Sequence, residues 1–153
     1  YEAALAKAVI AAGLGLTPGS GVLCSIADRH KAEALPIIRT LAAAGCRLYA
    51  TEGTAAMIEA AGLPVKMTSK KLDEGHPNII DLINDGTIAG VVNTAAGAHV
   101  PVRDGFYIRR AAAEKRIPCF TSLDTFRAAA TVIATGYLQS SVKPLPEYRN
   151  GRG

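Results

Sequence analysis

The sequence predicts a doubly wound α/β fold, a three-layer α/β/α domain in which a five-stranded parallel sheet is covered by helices on both faces. Three observations carry this prediction. Short apolar runs alternate with stretches of helix-forming residues along most of the 153-residue chain, the pattern of repeated strand–helix–strand units. The runs are too apolar for a half-solvated sheet, as strands buried on both faces must be. Hydrophobic residues make up 49% of the chain and charged ones 20%, enough for one core and one compact domain.

Residues 1–12 are Ala-rich, with Leu5, Val9 and Ile10 at helical spacing, and Gly13 stops them. The chain begins inside this helix without an initiator Met, which suggests a piece of a longer polypeptide. Residues 14–21 form a Gly/Pro-rich connector, so 1–20 read as a linking helix and connector, 21–138 as the domain proper and 139–153 as a C-terminal tail. The first strand is 22–26. A turn at 27–30 leads into a helix over 31–44, with Leu35, Ile38 and Leu41 inward and Pro36 tolerated near its start. After Gly45 come a strand at 46–50 and a helix at 54–61, joined through Thr51-Glu52-Gly53-Thr54. A short third strand follows at 63–67.

Residues 68–77 are polar and turn-rich, a loop long and charged enough to close over a ligand. A short helix over 78–84 ends at Asp85-Gly86, and 88–93 is the fourth strand. Residues 93–97 again place a polar loop directly past a strand. A helix over 106–116, a strand at 117–120 and a last helix through Thr135, capped by Thr121, Ser122 or Asp124, complete the pattern.

Composition excludes several classes. The net charge of +4 comes from 17 basic and 13 acidic residues that are interspersed; with no basic stripe interleaved with aromatics, nucleic acid is not an expected partner. Cys24, Cys46 and Cys119 stand in apolar segments without CxxC spacing, as buried thiols of a reduced compartment do, and no metal site is indicated. No apolar run approaches about 18 residues. A soluble cytoplasmic domain, not bound to a membrane, is the expectation.

In a doubly wound sheet, ligands gather at the carboxyl ends of the strands. That rim collects Ser25, Lys31, Thr51, Gly53, Thr54, Lys70, Lys71, Asn93, Thr94 and Thr121. A strand feeding a helix through Thr51 to Thr54 exposes unpaired N–H groups and the positive end of the helix dipole, which suit a phosphate. The competing reading has Thr51 or Thr54 simply capping the helix. No Walker or GxGxxG motif is present. His30, His76 and His99 are candidate bases and Asp28, Asp73 and Asp104 candidate acids, but they form no recognisable nucleophile or metal constellation. Pattern alone leaves two classes, a small phosphate-handling enzyme or a module that binds a phosphorylated metabolite.

Ser25 through Lys31, Ala50-Thr51-Glu52-Gly53-Thr54-Ala55, Glu74-Gly75-His76-Pro77, Val91-Val92-Asn93-Thr94 and Ile108-Arg109-Arg110-Ala111 together resemble the methylglyoxal-synthase-like (MGS-like) regulatory domain that ends the large subunit of carbamoyl-phosphate synthases. The resemblance spans residues 1–138. It implies an allosteric domain without catalytic residues or a cofactor of its own. The nucleotide effector, UMP as inhibitor or IMP as activator, would meet Ser25, Lys31, Thr51, Gly53, Thr54 and Lys71, with Asn93 and Thr94 on the ribose and phosphate side. Thr121 would lie toward an ornithine site. The implied parent is an ATP-dependent, glutamine-hydrolysing ligase of pyrimidine and arginine biosynthesis that uses Mg or Mn. Its catalytic halves and small glutaminase subunit are the implied partners, and homo-oligomerisation stays open.

Two positions depart from the family pattern. Ala95 stands where a second threonine commonly follows the Asn-Thr pair, and one lost charge-assisted hydrogen bond is worth about 1.5–3 kcal/mol. Glu52 places a carboxylate that must point away from a bound phosphate. The alternatives are a structural or oligomerisation domain of the same enzyme with a vestigial site, or a lyase of the methylglyoxal synthase type. Against the lyase, residues 95–99 contain no carboxylate to act as base.

Overall fold

The computed structural model describes residues 2–69, 78–94 and 103–136. Five strands, β1 Gly21–Ser25, β2 Arg47–Ala50, β3 Lys66–Met67, β4 Ile88–Asn93 and β5 Cys119–Phe120, form one sheet in the order β3-β2-β1-β4-β5. All neighbours are parallel. Six α-helices accompany them among the described residues, α1 Glu2–Ala11, α2 Lys31–Ala43, α3 Glu52–Ala60, α4 Ile79–Asn84, α5 Arg103–Glu114 and α6 Leu123–Thr135, with one 3-10 turn at Asp28–His30. The doubly wound, five-stranded architecture expected from the sequence is thus observed.

Alternation along the strands divides the core into two layers. Val22, Cys24, Leu48, Ala50 and Val92 face a cluster built with α1, α2, α3 and α6, including Ala6, Val9, Ile38, Leu41, Ile58 and Phe126. Leu23, Tyr49 and Val91 face the opposite cluster, which α4 and α5 supply through Ile79, Ile83, Ile108 and Ala112. Residues 2–20 contribute to the first cluster as well: Ala6, Val9 and Leu16 are buried in it. Gly21 marks a close approach. A Cβ there would overlap the Thr87 carbonyl oxygen, where the β1–β4 register shifts.

Several boundaries differ from the sequence reading, each for a local reason. β3 shrinks to two residues because Leu63 N–H is committed to Ile58 O, 3.2 Å, closing α3, and Pro64 has no N–H to give. β5 begins at Cys119 for the same kind of reason. Ile117 N–H closes α5 on Ala112 O, 2.9 Å, and Pro118 offers only its carbonyl, which accepts from Val91 N, 2.9 Å. α5 starts at Arg103, ahead of Phe106, and takes in buried Gly105. α3 starts at Glu52, which leaves Thr51 in the cap position. α4 opens with a reciprocal capping box: Asp81 N–H donates to Asn78 Oδ1 (3.1 Å) and Asn78 N–H to Asp81 Oδ2 (2.9 Å). At α6 the cap is Ser122, whose side chain accepts from Thr125 N, and Gly136 ends the helix at φ 67°.

Candidate anion-binding site at the sheet rim

Strand order reverses between β1 and β4, and the rim residues assemble around that switch and the adjoining β2–α3 turn. Register explains how. Ser25 pairs with Asn93 across β1 and β4. Thr51 N–H donates to Cys24 O (3.2 Å), which carries the β1–β2 register one step on and sets Thr51 beside Ser25. These three positions share the alternation phase of Leu23, Val91 and Tyr49, so they form one polar row above the α4/α5 layer. All three residues are buried.

The amino end of α3 is uncapped. Thr51 holds the cap position with extended backbone (φ −68°, ψ 159°), but its side chain makes no capping bond. The first intrahelical bond there is Ala55 N–H to Thr51 O, 2.7 Å, so the amides of residues 52–54 point out of the helix. Over this turn lies the Lys31 ammonium, 3.1 Å from where a Cβ on Gly53 would stand. Lys31 also pairs with Asp28 Oδ1 at 2.6 Å, its own side chain 23% exposed against 94% for Asp28. Glu52, exposed, begins the helix.

Thr54 and Thr94 have a different geometry from the other rim residues. The Thr54 hydroxyl accepts from Ile26 N–H at 3.0 Å and lies 3.5 Å from Ile26 O. The Thr94 hydroxyl accepts from Ala27 N–H at 2.8 Å, while Thr94 N–H donates to Ser25 O, 3.1 Å. Both therefore fasten the segment that leads from β1 toward Lys31. Asn93 donates from Nδ2 to Gly105 O, 3.3 Å, and so ties the end of β4 to α5. Neither Thr51 nor Thr54 caps α3 with its hydroxyl, contrary to the capping alternative.

Thr121 follows β5 and is exposed. Three strand spacings separate it from β2, about 14 Å, so it belongs to a different part of the rim. His30 heads α2 without capping it, and its Nδ1 is buried with no hydrogen-bond partner among the described residues. Lys70, Lys71, Asp73, His76, Ala95, His99 and the tail 139–153 lie outside the described residues, and so does the side chain of Asp104. The sequence reading missed Thr68, which sits next to Thr51 at the end of β3: its N–H donates to Ala50 O, 2.9 Å. The signal was a hydroxyl immediately past an apolar strand, the same one that singled out Ser25 and Thr51.

Among the described residues, uncapped amides, one ammonium and a row of two hydroxyls and one carboxamide make a donor-rich site, suited to an anionic oxygen ligand. A donor-rich rim on a doubly wound sheet with β1 at its centre defines the class, and the chain belongs to the MGS-like domain family, whose match covers residues 33–121. Over 149 residues it is 46% identical to the carbamoyl phosphate synthase large chain of Thermomicrobium roseum. The match takes in 97% of this chain and 14% of that relative. The crystal structure of methylglyoxal synthase from Elizabethkingia anophelis NUHP1 shares the fold, with a TM-score of 0.56 at 18% identity over 83% of this chain and 95% of that one.

Proposed function

We propose that this chain is the regulatory domain of a carbamoyl phosphate synthase large chain, and that its rim binds the phosphate of a nucleotide effector, UMP or IMP. One observation carries the reading: the uncapped amino end of α3 with the Lys31 ammonium above Gly53. Backbone amides, helix dipole and ammonium converge there, and a phosphate satisfies all three. Ser25, Thr51 and Asn93 line the adjoining strand ends, with Lys71 as a second cation. Thr54 and Thr94 hold the β1 exit so that Lys31 returns over Gly53. Thr121 serves a separate ornithine subsite.

Regulation on this reading is linkage. A nucleotide that binds one arrangement of the parent better than another shifts the population toward it, by no more than its difference in affinity. The parent makes carbamoyl phosphate from bicarbonate, ATP and glutamine-derived ammonia. Its ATP and metal sites belong to the catalytic halves, its glutaminase to the small subunit, and this domain contributes no catalytic residue.

Calorimetric titration with UMP, IMP, uridine and inorganic phosphate tests the reading. One nucleotide binds well above uridine, and Lys31→Ala weakens it by at least about tenfold through loss of a charge-assisted contact. Equal binding of nucleotide and nucleoside, or unchanged affinity in Lys31→Ala, removes phosphate anchoring from the rim.

A further inference from the structure

We infer that Thr68 is a further anion-binding residue, closing the side of the α3 cradle opposite Lys31; the inference rests on the phosphate reading of that cradle. Thr68 is 6% exposed, and its Oγ1 is buried without a hydrogen-bond partner among the described residues. A buried hydroxyl with no partner is costly, and native chains rarely keep one without a use. Valine has almost the same shape and no such cost. A hydroxyl here therefore calls for something that the described protein groups do not supply.

Its position says what that is. The Thr68 N–H bond to Ala50 O extends the β2–β3 register, in which Tyr49 pairs with Lys66 and Ala50 with Met67. Thr68 thus stands beside Thr51, about 4.8 Å away across the ladder. It shares the alternation phase of Lys66, hence of Tyr49 and Thr51. The row across the sheet rim then runs Thr68, Thr51, Ser25, Asn93, one polar residue from each of four adjacent strands, each less than a tenth exposed.

Sheet order completes the argument. α3 rises from β2, Lys31 reaches it from the β1 side, and Thr68 adjoins it from the β3 side. An anion seated on the α3 amides at the end of the sheet would then have the Lys31 ammonium on the side of the α2/α3 layer and the Thr68 hydroxyl on the side of the α4/α5 layer. The other orphaned buried side-chain atom among the described residues, His30 Nδ1, lies one residue before Lys31, so both fall on this rim. A threonine hydroxyl can rotate its proton toward an anionic oxygen, which a valine cannot do.

The test is calorimetric titration of wild type, Thr68→Val, Thr68→Ala, Thr68→Ser and Lys31→Ala with inorganic phosphate and with UMP, with the thermal midpoint of each variant. Thr68→Val and Thr68→Ala weaken inorganic phosphate about tenfold, and Thr68→Ser restores it. Thr68→Val keeps or raises the midpoint, because no protein partner is lost. Wild-type affinity in both hydroxyl-less variants overturns the inference and leaves the phosphate reading standing, provided that Lys31→Ala still loses binding. Absence of phosphate and UMP binding in the wild type overturns both. Should Thr68→Val fail to fold, Thr68→Ala decides, since it removes the hydroxyl without adding volume.

Discussion

At the residue scale, the Lys31 ammonium already faces one anion built into the chain, with which a phosphate in the proposed site would compete. Asp28 Oδ1 sits 2.6 Å from it, and Asp28 is almost wholly exposed. Lys31 holds the Asp28 carboxyl below its usual range, first through their hydrogen bond and then through charge. A carboxylate with a depressed folded value keeps its partner at neutral pH and releases it only as pH falls through that value. Asp28→Asn imposes the released state at neutral pH. It is expected to bind inorganic phosphate severalfold more tightly by calorimetry, with little change in thermal midpoint because the lost pair is a surface one. Weaker binding would mean that Asp28 positions Lys31 instead of competing for it. That Ser25, Lys31, Thr51 and Gly53 gather at one rim was legible in the sequence, because a strand end followed by polar residues or glycine is a local pattern. The work of Thr54 and Thr94 was not. Their hydroxyls take the N–H groups of Ile26 and Ala27 across 28 and 67 residues of chain, and no local spacing encodes such a contact. Thr68 carries the same local signal, a hydroxyl just past a strand, but beside Ser69, Lys70 and Lys71 it also reads as the start of a turn, and burial decides between the two.

At the element scale, the start of α3 shows what patterning settles and what it leaves open. Strand, turn and helix were each apparent from apolar periodicity and helix formers, yet the boundary moved from Thr54 to Glu52 because either threonine is an acceptable cap. Strands β3 and β5 came out short because a neighbouring proline and a helix-closing amide took the donors that a ladder needs; composition alone does not count donors. Gly53 is the position where stability and binding pull apart. It lies in the first turn of α3, exposed and without a positive φ, so alanine fits the backbone and stabilises the helix by about 0.5–1 kcal/mol. The new methyl group, however, would stand 3.1 Å from the Lys31 ammonium, which must then give way by a few tenths of an ångström over the helix end. Gly53→Ala is therefore expected to raise the midpoint of thermal unfolding and to weaken inorganic phosphate binding several-fold. A gain in stability with unchanged affinity would show that the ammonium need not lie over Gly53 to serve the anion.

At the scale of the whole molecule, β1 is the strand that everything else surrounds. It sits third of five, is buried along its full length, and carries Cys24 at the heart of the larger core cluster. Burial, and to a lesser degree the nearby Cys46, pushes the Cys24 thiol from 9.0 up to about 12. An apolar run around each of the three cysteines predicts buried thiols, which holds for Cys24 and Cys46, whereas Cys119, on the edge strand β5, is only partly buried. What the runs left open was which of them the whole fold protects, because centrality comes from strand order, and strand order from the crossover between β3 and β4. The consequence for pH follows from the sign. A thiol whose folded value lies above its unfolded one stays protonated in the native state while the unfolded chain loses its proton. Its contribution is thus intact below about pH 9 and is lost as pH rises toward 12. At pH 10.5 the loss is about 2 kcal/mol, from one and a half units at about 1.4 kcal/mol each. Lysines and tyrosines also titrate there, so the comparison is with Cys24→Ala, which shares those groups and lacks the thiol. Between pH 8 and pH 10.5 the wild type is expected to lose about 2 kcal/mol more than this variant in denaturant unfolding, although it is the more stable protein at pH 8 by virtue of the filled core. Parallel pH profiles for the two proteins would mean that the thiolate finds water without global unfolding, and that the centre of the sheet opens locally around β1.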